Sequence, residues 1–260
     1  MSLNKVTNNK INFFWIVLLT IAFLIPNITP VFAQAGKISE EQKMEILYTP
    51  AFYICGVENP QDTDTANIQK TTSNREAELL AMSDENFKQA IKERIQWAID
   101  QKKAGVDLYW HPEALRLINI IAPELESVVN DQLINQATQE KVKSTKTLLT
   151  ANFTPGNTSK VFYIINSSAG TNLWKFNMRV NWAWNSTRIT SISHSCFANV
   201  YAAAWTYNGV NDQEGHYVVN YYAYDQYCEG SFSSTLQNSY PYLDALVQAD
   251  GVYTCSGGYN

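Results

Sequence analysis

The sequence predicts an α+β protein, with a small helical N-terminal unit followed by an antiparallel β-sandwich of seven to eight strands. Apolar residues follow a helical period over 73–134, and later segments alternate apolar and polar residues. The composition changes near Lys143 from residues that favour helices to Thr, Asn, Tyr and Trp, which favour strands and turns. We therefore expect a signal peptide over 1–33, a helical unit over 34–145 and a sandwich over 146–260.

The first residues have the pattern of a secretory signal peptide. Lys5 and Lys10 precede an apolar run from Phe13 to Ile25, and small residues up to Ala33 suit cleavage before Gln34. The apolar run is shorter than the roughly 20 residues that a helix needs to cross a bilayer. We expect a secreted protein, extracellular or periplasmic, with no stable membrane span after cleavage.

The charge of the chain argues against some partners. Residues 1–33 contain two lysines and no acidic residue, so the expected exported chain has 17 basic side chains (19 less 2) against 24 acidic ones. This acidic balance disfavours nucleic acid and anionic membranes as partners. The sequence contains no glycine-rich fingerprint for a phosphate or a dinucleotide, and we expect no cofactor.

The helical unit is predicted to contain two or three main helices. A short helix and then an extended segment carrying Cys55 are expected over Ile38 to Cys55. Apolar residues repeat at intervals of four from Phe87 to Ile99, and Gly105 is the expected end of that helix. Pro112 is expected to start a second helix and Pro123 a third.

The clearest strand is Leu173 to Asn185, where bulky apolar residues occupy every second position from Trp174 to Trp184. Because strand side chains alternate between two faces, one face should be buried under a second layer. Tight turns are expected at Asn208-Gly209 and Asp250-Gly251. The other predicted strands are Thr147 to Phe153, Lys160 to Ile165, Arg188 to Ser193, Cys196 to Tyr207, His216 to Asp225, Gly230 to Leu236, Tyr242 to Val247 and Val252 to Cys255.

Four cysteines, Cys55, Cys196, Cys228 and Cys255, follow the signal peptide. An even number in an exported chain predicts two disulfides, for which three pairings are possible. Our hypothesis pairs Cys228 with Cys255 inside the sandwich and Cys55 with Cys196 between the two units. Thiols are the alternative if export meets no oxidant, and zinc is disfavoured because no C-x-x-C pair occurs.

Histidine and cysteine give little support for catalysis or metal binding. The chain has three histidines, His111, His194 and His216, which lack the i, i+4 spacing that places two ligands on one helix face. We therefore expect no metal site. Cys196 could act as a nucleophile with His194 or His216, but a disulfide is the expected state of this cysteine.

Carboxylates provide the alternative of an exported hydrolase. The candidate pairs are Asp212 with Glu214 and Asp225 with Glu229. A glycosidase needs two such groups across a cleft, and sequence spacing alone does not establish that separation.

The function that we predict is non-catalytic binding by a secreted protein, with carbohydrate or a cell-surface protein as partner. Aromatic residues are dense beside Asn- and Ser-rich loops, and flat rings match the apolar faces of sugars. The predicted binding residues are Trp182, Trp184, Tyr221 and Tyr222. Core packing is the alternative role of the two tryptophans, because Trp is highly buried on average. A secreted toxin is a further alternative.

Overall fold

The computed structural model describes residues 37–60, 74–140 and 154–260. The predicted signal peptide and the predicted strand Thr147 to Phe153 lie outside the described residues. Residues from Ile38 to Asn260 form one compact unit. Among the helices in the described ranges, none is long and apolar enough to cross a membrane.

The helices begin and end where local chemistry favours it. They are α1 (Glu40–Tyr48), α2 (74–81), α3 (Asp84–Lys103), α4 (Glu113–Ile121), a short 3-10 helix (Pro123–Leu125) and α5 (Glu126–Glu140). The Ser39 hydroxyl accepts a hydrogen bond from Gln42 N, and the Gln42 side chain accepts one from Ser39 N, so α1 starts with a reciprocal cap. Gly105, at φ 87°, follows α3, as predicted.

The strands form two antiparallel sheets, which confirms the predicted α+β class with a β-sandwich. Sheet A has the order β2-β1-β3-β4-β5, and sheet B has the order β10-β9-β7-β6, with β8 paired to β7. The strands are β1 (Pro50–Glu58), β2 (Leu108–Trp110), β3 (Gly156–Ser168), β4 (Asn172–Trp184), β5 (Ile189–Val200), β6 (Trp205–Val218), β7 (Ala223–Ser234), β8 (Asn238–Ser239), β9 (Pro241–Gln248) and β10 (Tyr253–Tyr259). Strands β1 and β2 therefore join the sheet that contains β3.

Strand β4 is the centre of the core, as its alternation predicts. Its apolar row from Trp174 to Trp182 is buried between the sheets. The Trp174 ring stacks on Phe232 of sheet B, with ring centroids 4.1 Å apart. Burial of large aromatic rings on both inner faces is the main favourable contribution to such a core.

The helices pack on the outer face of sheet A and make a third layer. Phe52 of β1 points away from sheet B, and its ring lies 6.1 Å from Trp97 of α3. Beside it, Trp110 Nε1 donates a hydrogen bond to Gln132 Oε1 of α5 at 2.7 Å. On the opposite face of β1, Tyr53 contacts Tyr259 of sheet B at 4.7 Å. The order of layers is therefore helices, sheet A, sheet B.

Two strand predictions and one turn prediction near β6 are wrong. The predicted strand Cys196 to Tyr207 is divided, because β5 ends at Val200 and β6 starts at Trp205. Asn208-Gly209 does not form a hairpin turn. Gly209 has φ 113° and lies where the β6–β7 pairing shifts register, so its positive φ serves a β-bulge. A turn at 219–222 interrupts the predicted strand His216 to Asp225.

The predicted disulfide pairing is also wrong. A disulfide joins Cys196 of β5 to Cys228 of β7 and so links the two sheets. Both residues point inward, since Cys196 is paired with buried Met178 and Cys228 is fully buried. The sequence gives no direct indication of which cysteines face each other across the sandwich. Cys55 lies in β1 and Cys255 in β10, and both are half-buried.

Candidate functional site

Three of the predicted binding residues pack into one end of the sandwich. Trp182 is buried and donates from Nε1 to Gln248 O at 3.0 Å. Tyr222 is buried and its hydroxyl donates to Asp250 Oδ2 at 3.3 Å. Trp184 is half-buried and donates to Thr154 O at 2.9 Å. In this arrangement their rings support the hairpin turns at that end.

The fourth predicted residue, Tyr221, is 53% exposed and lies in the turn between β6 and β7. Val219, Asn220 and Tyr221 have φ angles of 50°, 55° and 68°. A β-branched residue rarely adopts this left-handed conformation, so the turn is strained. Exposed Tyr217 lies 4.5 Å from the Tyr221 ring. We call the exposed set Tyr217, Val219 and Tyr221 the hairpin tip.

The outer face of sheet B carries a second set of polar and aromatic side chains. The strand register pairs His216 with Asp225, Tyr227 with Asp244, and Glu229 with Tyr242. Directly paired residues project from the same face of a sheet, and alternate residues share that face. We call this surface the acidic face; it consists of Asp212, Glu214, His216, Asp225, Tyr227, Glu229, Tyr242 and Asp244.

Two tyrosine rings lie side by side on the acidic face and are held by hydrogen bonds. The Tyr227 and Tyr242 rings are 5.8 Å apart with 25° between their planes. The Tyr227 hydroxyl donates to Glu229 Oε2 at 3.1 Å and accepts from Asn260 Nδ2 at 3.0 Å. The side-chain amides of Asn211 and Asn260 donate to the Glu229 carboxylate. These bonds fix the orientation of one ring.

Next to this ring pair, two carboxyl groups share a hydrogen bond. Burial, and then the hydrogen bond and negative charge of Asp225, together raise the pKa of Asp244 from 3.8 to about 7. The nearby His216 partly opposes this pKa shift, and its Nε2 lies 4.0 Å from Asp225 Oδ2. Near neutral pH the Asp225–Asp244 pair therefore offers both a donor and acceptors.

This geometry suits sugar binding better than glycoside cleavage. Glycoside hydrolysis by two carboxylates needs them roughly 5 to 10 Å apart on opposite sides of a substrate. Asp225 and Asp244 instead contact each other, and Glu229 is only 6% exposed and held by its neighbours. Asp212 and Glu214 lie two residues apart on one face of an exposed strand.

The remaining candidate residues for catalysis or metal binding are cysteine and histidine. Cys196 is in a disulfide, which is the state that the sequence predicts over a nucleophilic thiolate. His111 is half-buried and bonded to Asn166 Oδ1 at 3.2 Å, and desolvation of its ring lowers its pKa to about 4, so it is neutral at physiological pH. Within the described ranges, no cluster of three or more His, Cys, Asp or Glu residues could hold a metal ion.

Sequence reasoning missed Tyr227, Tyr242 and Asp244, although a signal for them was present. Asp225, Tyr227 and Glu229 alternate with inward residues along β7, and Tyr242 and Asp244 do the same along β9. The polar side of each alternating pattern predicts a shared outer face once the strands are paired. The pairing of β7 with β9 was the missing information.

No known protein family matches the chain, and comparison with curated proteins and with solved structures finds no significant match.

Proposed function

We propose that the protein is a non-catalytic binding protein that recognises carbohydrate through its acidic face. The observation that carries the proposal is the stacked pair Tyr227 and Tyr242, set among carboxyl groups whose positions are held by hydrogen bonds. The strands place these groups on a rigid sheet rather than on loops.

The chemistry of the face matches the chemistry of a sugar ring. A pyranose presents C–H groups on its faces and hydroxyls around its edge. Tyrosine rings contact the C–H faces, while Asp225 and Asp244 accept hydrogen bonds from hydroxyls. Because the network of Glu229 and Asn260 already orients Tyr227, little side-chain entropy is lost on binding.

The charge of the face selects among glycans. The chain has a formal net charge of −5, and the acidic face adds a local concentration of carboxylates. Sulfated or uronic-acid glycans would be repelled, whereas neutral sugars and amino sugars with a positive charge would not. Neutral and amine-bearing glycans are therefore the expected ligands. Recognition outside the cell is part of the proposal, and the disulfide supports it.

A glycan array probed with the purified protein tests the proposal. Wild-type protein is expected to bind a subset of neutral or amine-bearing glycans. Tyr227→Ala and Tyr242→Ala should each weaken binding about threefold to tenfold, because each removes a ring contact worth about 0.5 to 1.5 kcal/mol. Tyr217→Ala is the control, since Tyr217 is exposed on the neighbouring hairpin tip. Binding that survives loss of both acidic-face rings would contradict the proposal.

A cell-surface protein bound by the hairpin tip is the second candidate. The strained turn at Val219 and the exposed Tyr217–Tyr221 pair favour it, because strain in a fold is retained mostly where function needs it. In that case Tyr221→Ala would abolish binding to whole cells, whereas Tyr227→Ala would leave it unchanged.

A further inference from the structure

A groove on the helical side of the molecule lies outside the acidic face. It has a volume of about 410 Å³ and is formed by α2, α3 and the turn between β3 and β4. Its lining includes Arg75, Glu93, Arg94, Gly170, Thr171 and Asn172. Two arginines therefore line one cavity.

Arg94 is held in a position where its charge is poorly solvated. Its guanidinium lies over the Trp97 ring at 4.1 Å, and Nη2 donates to Asn172 Oδ1 at 3.2 Å. Its Nε is buried and has no hydrogen-bond partner in the described part of the chain. Burial and the nearby charge of Arg75 lower the pKa of Arg94 to about 10, so the group is still charged at neutral pH.

Two acidic side chains, Glu93 in the lining and Glu78 beside Arg75, already have partners. Glu93 accepts a hydrogen bond from Gln89 at 2.9 Å, and Glu78 pairs with Arg75 at 3.5 Å. Among residues 37–60, 74–140 and 154–260, no ion pair includes Arg94. A buried cation without a counterion is costly, and a bound anion removes that cost.

We infer that this groove binds an oxyanion, meaning a carboxylate, phosphate or sulfate group, with Arg94 as the main donor and Arg75 as a second cation. Arginine suits this ligand because its planar group donates several hydrogen bonds at once. The Asn172 amide holds Arg94 toward the turn, and Trp97 shields one face of the guanidinium from water. This site is separate from the acidic face and does not depend on the proposed function.

The test is a titration of the full chain with sodium sulfate, inorganic phosphate or acetate at constant ionic strength, against sodium chloride. Isothermal calorimetry follows binding, as does intrinsic tryptophan fluorescence, to which Trp97 contributes. At least one of the three anions is expected to bind saturably at one site, and the ranking of the three identifies the preferred oxyanion. If all three behave like chloride, the inference is wrong.

Substitutions assign the binding to the groove. Arg94→Gln should weaken binding at least about tenfold, because a charged hydrogen bond is lost, and Arg75→Gln should weaken it less. Arg116→Gln is the matched control, since Arg116 is a half-exposed arginine paired with Glu45 at 2.8 Å. If the Arg94→Gln variant fails to fold, the affinity of the Arg75→Gln variant for the anion tests the inference instead. Full affinity in the folded Arg94 or Arg75 variant would overturn the inference.

Discussion

The outer faces of the two sheets differ in which charged side chains they bring into contact. On sheet A, Lys175 Nζ lies 2.7 Å from Glu58 Oε1, and both side chains are largely buried, at 6% and 18% exposure. The Lys175 ammonium also lies over the Tyr163 ring at 4.3 Å. On sheet B, Asp244 shares a proton with another acid, Asp225. Opposite charges are paired on one face, whereas two acidic groups are brought into contact on the other.

This difference separates residues that stabilise the fold from residues that are available to a ligand. In a buried ion pair such as Lys175–Glu58, each charge is neutralised by its partner, so neither group is available to a ligand. Like charges brought together on an open face cost stability, and such groups are concentrated at functional sites. The proposed glycan site therefore lies on the outer face of sheet B, whereas the Lys175–Glu58 pair on sheet A supports the fold.

Breaking the ion pair of sheet A should have the largest effect on stability. Glu58→Gln leaves the Lys175 ammonium buried without a counter-charge, so the free energy of unfolding should fall by about 3 to 5 kcal/mol. Urea unfolding measures this loss. Glu113→Gln, at the exposed pair with Arg116, should change stability by less than about 1 kcal/mol. Equal losses in the two variants would show that the two pairs do not differ as described.

Removing the link between the sheets should have the next largest effect. The disulfide Cys196–Cys228 closes a loop with a sequence separation of 32 residues, and its loss in Cys196→Ala/Cys228→Ala should cost about 2 to 4 kcal/mol. Thermal unfolding measures this cost. Peptide mapping without reductant should recover the two cysteines in one linked pair. A peptide joining Cys55 to Cys196 would instead restore the pairing predicted from the sequence.

Replacing one acid of the Asp225–Asp244 pair on sheet B should have a smaller effect on stability, and this effect should depend on pH. The pKa of Asp244 is raised from 3.8 to about 7, so between these values the folded protein binds more protons than the unfolded chain. The stabilising contribution of this carboxyl is therefore present at low pH and is lost as pH rises through 7. Asp244→Asn should stabilise the protein by about 1 to 2 kcal/mol at pH 8 and hardly at all at pH 4.

Denaturant unfolding at the two pH values tests whether Asp244→Asn stabilises the protein more at pH 8 than at pH 4. Asp212→Asn is the control, because Asp212 is exposed on the edge strand of the same face. A stabilisation by Asp244→Asn that is equal at pH 4 and pH 8 would mean that the pKa of Asp244 is not raised.

The sequence was most informative where a pattern is local. The alternation from Trp174 to Trp182 correctly predicted the buried face of β4, and Asp250-Gly251 correctly predicted a turn. Asn208-Gly209 misled because a glycine with positive φ serves a bulge as well as a hairpin. The disulfide was mispredicted because pairing across two sheets depends on which strands face each other, which is not a local property.

The candidate site was less accessible to sequence reasoning for the same reason. Trp182 and Tyr222 were selected for their ring type, but large rings fill cores as readily as they bind ligands. Asp225 and Glu229 were noticed as one possible acid pair, whereas the structure joins Asp225 to Asp244, nineteen positions later on a neighbouring strand. Strand order brings these groups together, and it could not be read from one sequence.

The most direct test of the account is the affinity of a double variant for the glycan that wild-type protein binds. Tyr227→Ala/Tyr242→Ala should weaken that binding about tenfold to a hundredfold, while circular dichroism and thermal unfolding change little, because both rings lie on the outer face. Tyr217→Ala/Tyr221→Ala, at the hairpin tip, should retain wild-type affinity. Loss of binding in the tip variant with full binding in the acidic-face variant would contradict the account.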